Sequence, residues 1–232
     1  MFTLRKADDR GQFNHGWLQT AHTFSFGDYY DPQWTQFRAL RVMNEDTIAA
    51  GQGFGMHGHR DMEIITYVLS GALAHRDSLG HEAALHPGEV QYMSAGTGIR
   101  HSEFNPSDSV PVHLYQIWLL PREAGLKPHY EQKAFPAADR QGRWQAVVSG
   151  QPRDNAIVVQ QDTTVLLAEL AAGQSLSYEF AAGRHGWLQL LSGTVEAQGH
   201  LCTAGDGLAI SDETQVTLQS TSTAAVMLFD LP

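Results

Sequence analysis

The first chemical signal in this sequence is a pair of histidine-containing motifs with strand spacing. Gly51-Gln-Gly-Phe-Gly-Met-His57-Gly-His59 sets two imidazoles at positions i and i+2. On a β-strand such positions share a face. Some forty residues on, Gly96-Thr-Gly-Ile-Arg-His101-Ser-Glu103 repeats the spacing with an imidazole and a carboxylate. On neighbouring strands of a barrel, the two pairs would turn four side chains toward one interior point. Three imidazoles and a carboxylate suit one divalent transition metal such as iron, nickel, copper, manganese or zinc. A five- or six-coordinate ion held by four protein donors keeps room for water or substrate. Twelve of the 232 residues are histidine, and seven of these fall from His57 to His113, which strengthens the reading.

Strict alternation also carries residues 61 and 63 on the face of His57, so Glu63 is a fifth candidate. It reads either as a ligand or as a partner that fixes a histidine tautomer. His75, His81 and His86 lie around a hairpin and read as surface residues, while His113 is a weaker candidate for the cavity. Gly51, Gly53 and Gly55 do not form a phosphate loop, because no helix pattern and no Gly-Lys-Ser/Thr follows. They read as close backbone approaches beside a strand.

The elements that must position these residues are strands. Short apolar runs recur at residues 37–43, 62–69, 113–120, 156–159, 164–168, 187–191 and 224–229, separated by turn signals such as Pro87-Gly88 and Gly205-Asp-Gly207. This predicts an all-β chain of antiparallel sandwiches or barrels. Residues 121–153 are polar, carry Pro121, Pro128, Pro136 and Pro152, and read as a connection with some helix. The flanking halves look like a decayed repeat. Val68-Leu-Ser-Gly71 and Pro87-Gly-Glu89 answer to Leu190-Leu-Ser-Gly193 and Ala204-Gly-Asp206. Aligning the glycines sets Glu179, Ala181, Leu218 and Ser220 opposite His57, His59, His101 and Glu103. A single metal is therefore expected, in the first half.

Composition narrows the partners. Hydrophobic residues make up 42% of the chain, and the formal charge is −10, without a basic stripe. Nucleic acid and anionic membrane surfaces are disfavoured. No apolar run approaches a membrane span. The charged N-terminal residues do not read as a secretory signal. Cys202 is the single cysteine and fits a reducing cytoplasm.

The pattern Gly51-x5-His57-x-His59-x3-Glu63-x7-Gly71, with Pro87-Gly88 and His101-x3-Asn105, resembles the two motifs of the cupin superfamily. It departs by one extra residue before Gly71 and by Ser94-Ala-Gly96 where Pro-x-Gly is common. Those departures, with His22-Thr-Phe-Ser-Phe26, Tyr29-Tyr-Asp-Pro32 and Met93-Ser-Ala-Gly-Thr-Gly-Ile-Arg-His-Ser-Glu103, resemble the pirin family. The resemblance implies a bicupin of two antiparallel jelly-roll β-barrels joined by the polar, proline-containing linker. A metal-binding domain would span residues 1–130 and a metal-free domain residues 131–232. It implies His57, His59, His101 and Glu103 as ligands, where the general cupin pattern would nominate Glu63. Ferrous iron is the first expectation, with nickel, copper, manganese, cobalt or zinc as alternatives. The implied activity is dioxygen-dependent cleavage of a flavonol such as quercetin with release of carbon monoxide. Glu103 would act as catalytic base toward the flavonol 3-hydroxyl. Phe54, Met56, Met93 and Trp118 are candidate walls for the aromatic substrate. A monomer is expected. The competing reading is a metal-binding, redox-responsive regulator that acts through a protein partner.

Overall fold

The computed structural model describes residues 1–153 and 155–232. Among these, strands dominate, and the helical elements are short 3-10 turns at Ala7–Asp9 and Ala137–Arg140. No helix is long and apolar enough to cross a membrane. The early strands are β1 (Phe2–Arg5), β2 (Gly11–Asn14), β3 (Leu18–His22), β4 (Leu40–Ile48), β5 (Gly53–His59) and β6 (Glu63–Ser70). Next come β7 (Leu73–Asp77), β8 (Glu82–Leu85), β9 (Glu89–Ser94), β10 (Ile99–Phe104), β11 (Val112–Leu119) and β12 (His129–Ala134). Then follow β13 (Gln145–Ser149), β14 (Ile157–Val158), β15 (Thr164–Leu170), β16 (Ser175–Glu179) and β17 (His185–Ser192). The last are β18 (Thr194–Ala197), β19 (His200–Thr203), β20 (Gly207–Ile210), β21 (Gln215–Ser220) and β22 (Ala224–Leu231).

The chain forms two compact units, Gly11–Phe135 and Met1–Arg10 with Pro136–Pro232. The first contains a sheet ordered β12-β9-β6-β11-β4-β3-β2 and a smaller one ordered β5-β10-β7-β8. The second contains β1-β20-β17-β22-β15-β13-β14 and β16-β21-β18-β19. These orders correspond, although the outermost pair is antiparallel in the first (β2 with β3) and parallel in the second (β13 with β14), so the decayed repeat is a real architectural duplication and the fold is the expected all-β bicupin. Each unit buries its own apolar face. Ile48, Val68, Leu73, Leu85 and Leu114 cluster in the first, and Leu166, Leu188, Leu208, Val226 and Leu228 in the second. Burial of such side chains is the main favourable contribution to folding.

The two Leu-Ser-Gly signatures end matching strands. Gly71 and Gly193 have φ of +80° and +78°, and a Cβ there would lie 2.7 Å from Pro111 O and 2.1 Å from Thr223 O. Only glycine combines a left-handed turn with that close approach.

The structure moves the expected domain boundary. Residues 1–10 belong with the C-terminal unit, because β1 pairs with β20 from Phe2↔Ile210 to Arg5↔Gly207. The division near 130/131 shifts to 135/136, because β12 pairs with β9 along its whole length. The proline-bearing connection thus holds two strands, β12 and β13, and its helical content is one 3-10 turn at Ala137–Arg140.

Candidate metal centre

The smaller sheet of the first unit builds the site. Strands β5 and β10 are antiparallel and place His57 directly across from His101, with His59 across from Ile99. The register shifts between His101 and Glu103, so that Glu103 faces Phe54 across the bulge. Gly53 permits this pairing, since a Cβ there would stand 2.2 Å from Glu103 O.

Three imidazoles converge. His101 Nε2 lies 2.9 Å from His59 Nε2 and 3.0 Å from His57 Nε2. Two nitrogens bound at about 2.1 Å to one ion and at right angles to each other would be about 3.0 Å apart. The spacing therefore fits two cis edges of a coordination shell. The His57 tautomer fits as well. His57 Nδ1 donates to Gly55 O at 2.8 Å. A carbonyl only accepts, so this bond leaves the Nε2 lone pair free. Burial, with the His57 ring adding to it, lowers His59 to about 4 and His101 to about 3. At neutral pH these two imidazoles are uncharged and present lone pairs to a cation.

Glu103 sits beside this triad in a second grouping. Its carboxylate, His101 and His75 offer ligand atoms within 4.8 Å of one another, as do His57, His59 and His101. Glu103 is 3% exposed and accepts from Gln116 Nε2 at 3.0 and 3.3 Å. Burial raises its carboxyl to about 7, against the opposing Gln116 hydrogen bond. Asp46, on the same cavity, is raised by burial to about 6.

The cavity holds about 230 Å³ and is lined by the triad, Glu103, Asn44, Asp46, Gln116, Phe26, Phe54, Ile64 and Trp118. A cavity of about 150 Å³ accepts benzene, so the space is large enough to take an aromatic ring. Of the expected walls, Phe54 and Trp118 line it. Met56 is 46% exposed, and Met93 packs with Ile64, Ala95 and Ile99 in the core. Phe26, from the His22-Thr-Phe-Ser-Phe26 motif, is an added wall and meets Trp118 edge to face at 5.4 Å.

Glu63 lies outside both groupings among the described residues. It is fully buried on β6 in the larger sheet and accepts from Tyr92 Oη at 2.5 Å. Alternation from His57 fails because β5 ends at His59 and the turn passes through Asp61 with φ 48°. His113 pairs with Glu45 at 2.9 Å on the side of β11 away from Gln116 and Trp118. His75 reverses the surface reading. It is 1% exposed, stacks on Tyr130 and reaches Asp77 Oδ2 at 3.3 Å. The sequence held a signal for it in His75-x-Asp77, the same i, i+2 spacing as the other pairs. His81 is half-buried against Asp77 at 2.9 Å, and His86 is exposed.

Strand pairing also corrects the alignment between the halves. Val216 pairs with Tyr178, as His101 pairs with His57, and Leu218 pairs with Leu176, as Glu103 pairs with Phe54. The counterparts of His57, His59, His101 and Glu103 are therefore Tyr178, Phe180, Val216 and Leu218. Counting from the glycines fails because β20 is two residues shorter than β9, and because a one-residue slip on β16 exchanges the two faces. All four counterparts belong to or pack against the second apolar core.

Comparison with known proteins agrees with this geometry. A family model described as Pirin matches residues 3–119, and one described as the quercetinase C-terminal cupin domain matches residues 146–231. The quercetin 2,3-dioxygenase of Escherichia coli K12 is 50% identical over 232 residues, covering 100% of this chain and 99% of that protein. A pirin-like protein of Caulobacter vibrioides is 41% identical, covering 99% of each chain. The crystal structure of the bacterial pirin YhhW from Escherichia coli in complex with nickel(II) superposes with a TM-score of 0.96. It is 49% identical, with 100% of this chain and 99% of that one covered.

Proposed function

Since this chain belongs to the pirin family, we propose that it is a quercetin 2,3-dioxygenase, a metal-dependent enzyme that opens the flavonol ring with dioxygen. Both oxygen atoms enter the organic product, and one ring carbon leaves as carbon monoxide. The observation that carries this reading is the meeting of three Nε2 atoms at ligand spacing on an aromatic-walled cavity. It stands in a chain half identical, from end to end, to a quercetin 2,3-dioxygenase.

In this reading His57, His59 and His101 hold the ion, and Glu103 is the fourth ligand. Ferrous iron is our assignment; the nickel(II) complex of the related pirin supports a site open to several divalent ions. When bound, the ion supplies Lewis acidity toward a deprotonated flavonol oxygen. The protein residues do the rest. Glu103 takes the proton of the 3-hydroxyl, as a buried carboxylate on the cavity wall beside the histidines is placed to do. Gln116 holds that carboxylate in place through its two contacts. Phe26, Phe54, Ile64 and Trp118 flank the flat substrate and keep water from it. We place the enzyme in the cytoplasm, a reading that the lone, buried Cys202 supports through its lack of any disulfide demand, and we expect a monomer.

The test has two measurements. Elemental analysis should find about one transition metal per chain. Quercetin should then disappear with equimolar oxygen uptake and carbon monoxide release. Full metal loading without oxygen consumption on any flavonol would refute the dioxygenase reading.

A further inference from the structure

Opposite the histidines, the cavity wall is polar where the fold does not need it to be. Asn44 and Asp46 alternate on β4, line the cavity, and are 4% and 5% exposed. Asn44 Oδ1 is buried and accepts no hydrogen bond from the described residues, and Asp46 Oδ1 is buried without a donor at hydrogen-bond geometry. The Thr20 hydroxyl, across from it on β3, is the neighbouring polar group that acts on the Asp46 carboxyl. Buried acceptors without donors are rare and destabilising, so such atoms point to a missing partner.

The second barrel supplies an internal control. Gln116 pairs with Thr66 and with Asn44, and Leu228 pairs with Leu188 and with Leu166 in the matching strands. Asp46 pairs with Leu114, as Ala168 pairs with Val226. The positions of Asn44 and Asp46 are thus Leu166 and Ala168 in the second barrel, and both are core residues there. The same frame closes with apolar side chains at these points. Polarity in the first barrel is a property of its contents.

We propose that Asn44 and Asp46 are specificity-determining residues that accept hydrogen bonds from phenolic hydroxyls of the ligand other than the metal-directed one. They would select polyhydroxylated aromatics over singly hydroxylated analogues. This rests on the proposed flavonol chemistry and names the substrate class more narrowly. A site built to receive a hydroxyl rejects the analogue lacking it, because its own polar atoms then stay unpaired.

The experiment transplants the second barrel's residues, as Asn44→Leu, Asp46→Ala and the pair together. Quercetin is compared with 3-hydroxyflavone, which keeps only the 3-hydroxyl. Two readouts are taken on metal-loaded protein: kcat and KM in air, and calorimetric Kd without dioxygen. The wild type should favour quercetin. In the double variant the quercetin preference should fall by about tenfold or more, chiefly through KM and Kd. The melting temperature of the ligand-free variant should hold or rise, since unpaired buried polar atoms are removed. Asp46→Asn, which keeps a side-chain oxygen, should retain more of the preference than Asp46→Ala. Wild-type protein that binds the two flavonols equally, or binds neither, overturns the proposal. So does a double variant with unchanged preference, or one whose melting temperature drops while its preference survives. If neither flavonol consumes oxygen, the dioxygenase reading fails, and calorimetry still decides the wall's role.

Discussion

Replacing Glu103 with glutamine should stabilise the metal-free protein, and only at high pH. The wild-type carboxyl is raised from 4.5 to about 7, with burial as the leading cause. At about 1.4 kcal/mol per tenfold change in proton affinity, the folded state favours the neutral acid by about 3 kcal/mol. Folding therefore binds this proton more tightly than the unfolded chain does. The resulting stabilisation is complete below pH 4.5 and is lost as pH rises through about 7. Glutamine has the neutral acid's shape and never ionises, so it escapes that loss. Glu103→Gln should be more stable than wild type by about 3 kcal/mol at pH 8 and by less than about 1 kcal/mol at pH 5.

The assay is urea unfolding of chelator-treated protein at the two pH values, followed by the same titration with saturating nickel(II). Metal should reverse the order at pH 8, because an ion that binds the folded chain stabilises it in proportion to its affinity. A variant destabilised equally at pH 5 and pH 8 would refute the reasoning. That result would mean the Gln116 contacts, not the buried charge, govern this position.

Removing one imidazole breaks a converged set, so His57→Ala or His101→Ala should leave well under one-tenth of an ion per chain by elemental analysis, at about tenfold or greater cost in affinity. Gly53→Ala would push a Cβ against Glu103 O, at 2.2 Å in the present backbone; a lower melting temperature with reduced metal content is expected. Asp206 belongs to the other compact unit. Burial alone would raise its carboxyl, but the amides of Thr203 and Ala7 and the Lys6 ammonium hold it below the usual range. Asp206→Ala strands two backbone donors and should cost about 3 kcal/mol near pH 7. Because the folded pKa is depressed, that contribution is present above pH about 4 and fades as pH falls through the folded value. The wild-type and variant unfolding curves should therefore converge in acid.

The candidate site was legible where it obeyed local periodicity. His57 with His59, and His101 with Glu103, could be read because alternation survives along β5 and β10. Glu63 could not be read by the same rule, because the turn at Asp61 ends one strand and starts another in a different sheet. His75 was hidden by its neighbours. A hairpin rich in turn residues suggests exposure, while Tyr130 covers it from β12, more than fifty residues away. Sheet edges were invisible for a related reason. Nothing local to Phe2–Arg5 says that its partner is Gly207–Ile210, and such long-range pairing is decided by which edge stays open.

The duplicated frame separates what the fold requires from what the chemistry requires. Both barrels keep the strand order, the Leu-Ser-Gly turn and the left-handed glycine behind it. They differ in the positions that face the cavity. His57, His59, His101 and Glu103 stand where the second barrel has Tyr178, Phe180, Val216 and Leu218, and Asn44 and Asp46 stand where it has Leu166 and Ala168. The apolar set fills its barrel and contributes to stability directly. The polar set burdens its barrel with buried carboxyls raised by desolvation and with acceptors that lack donors. A barrel of this kind has a lower-energy sequence available to it, present in the same chain, and does not use it. The difference is the stability that the first barrel gives up to hold a cation and an aromatic ligand, as functional sites commonly do.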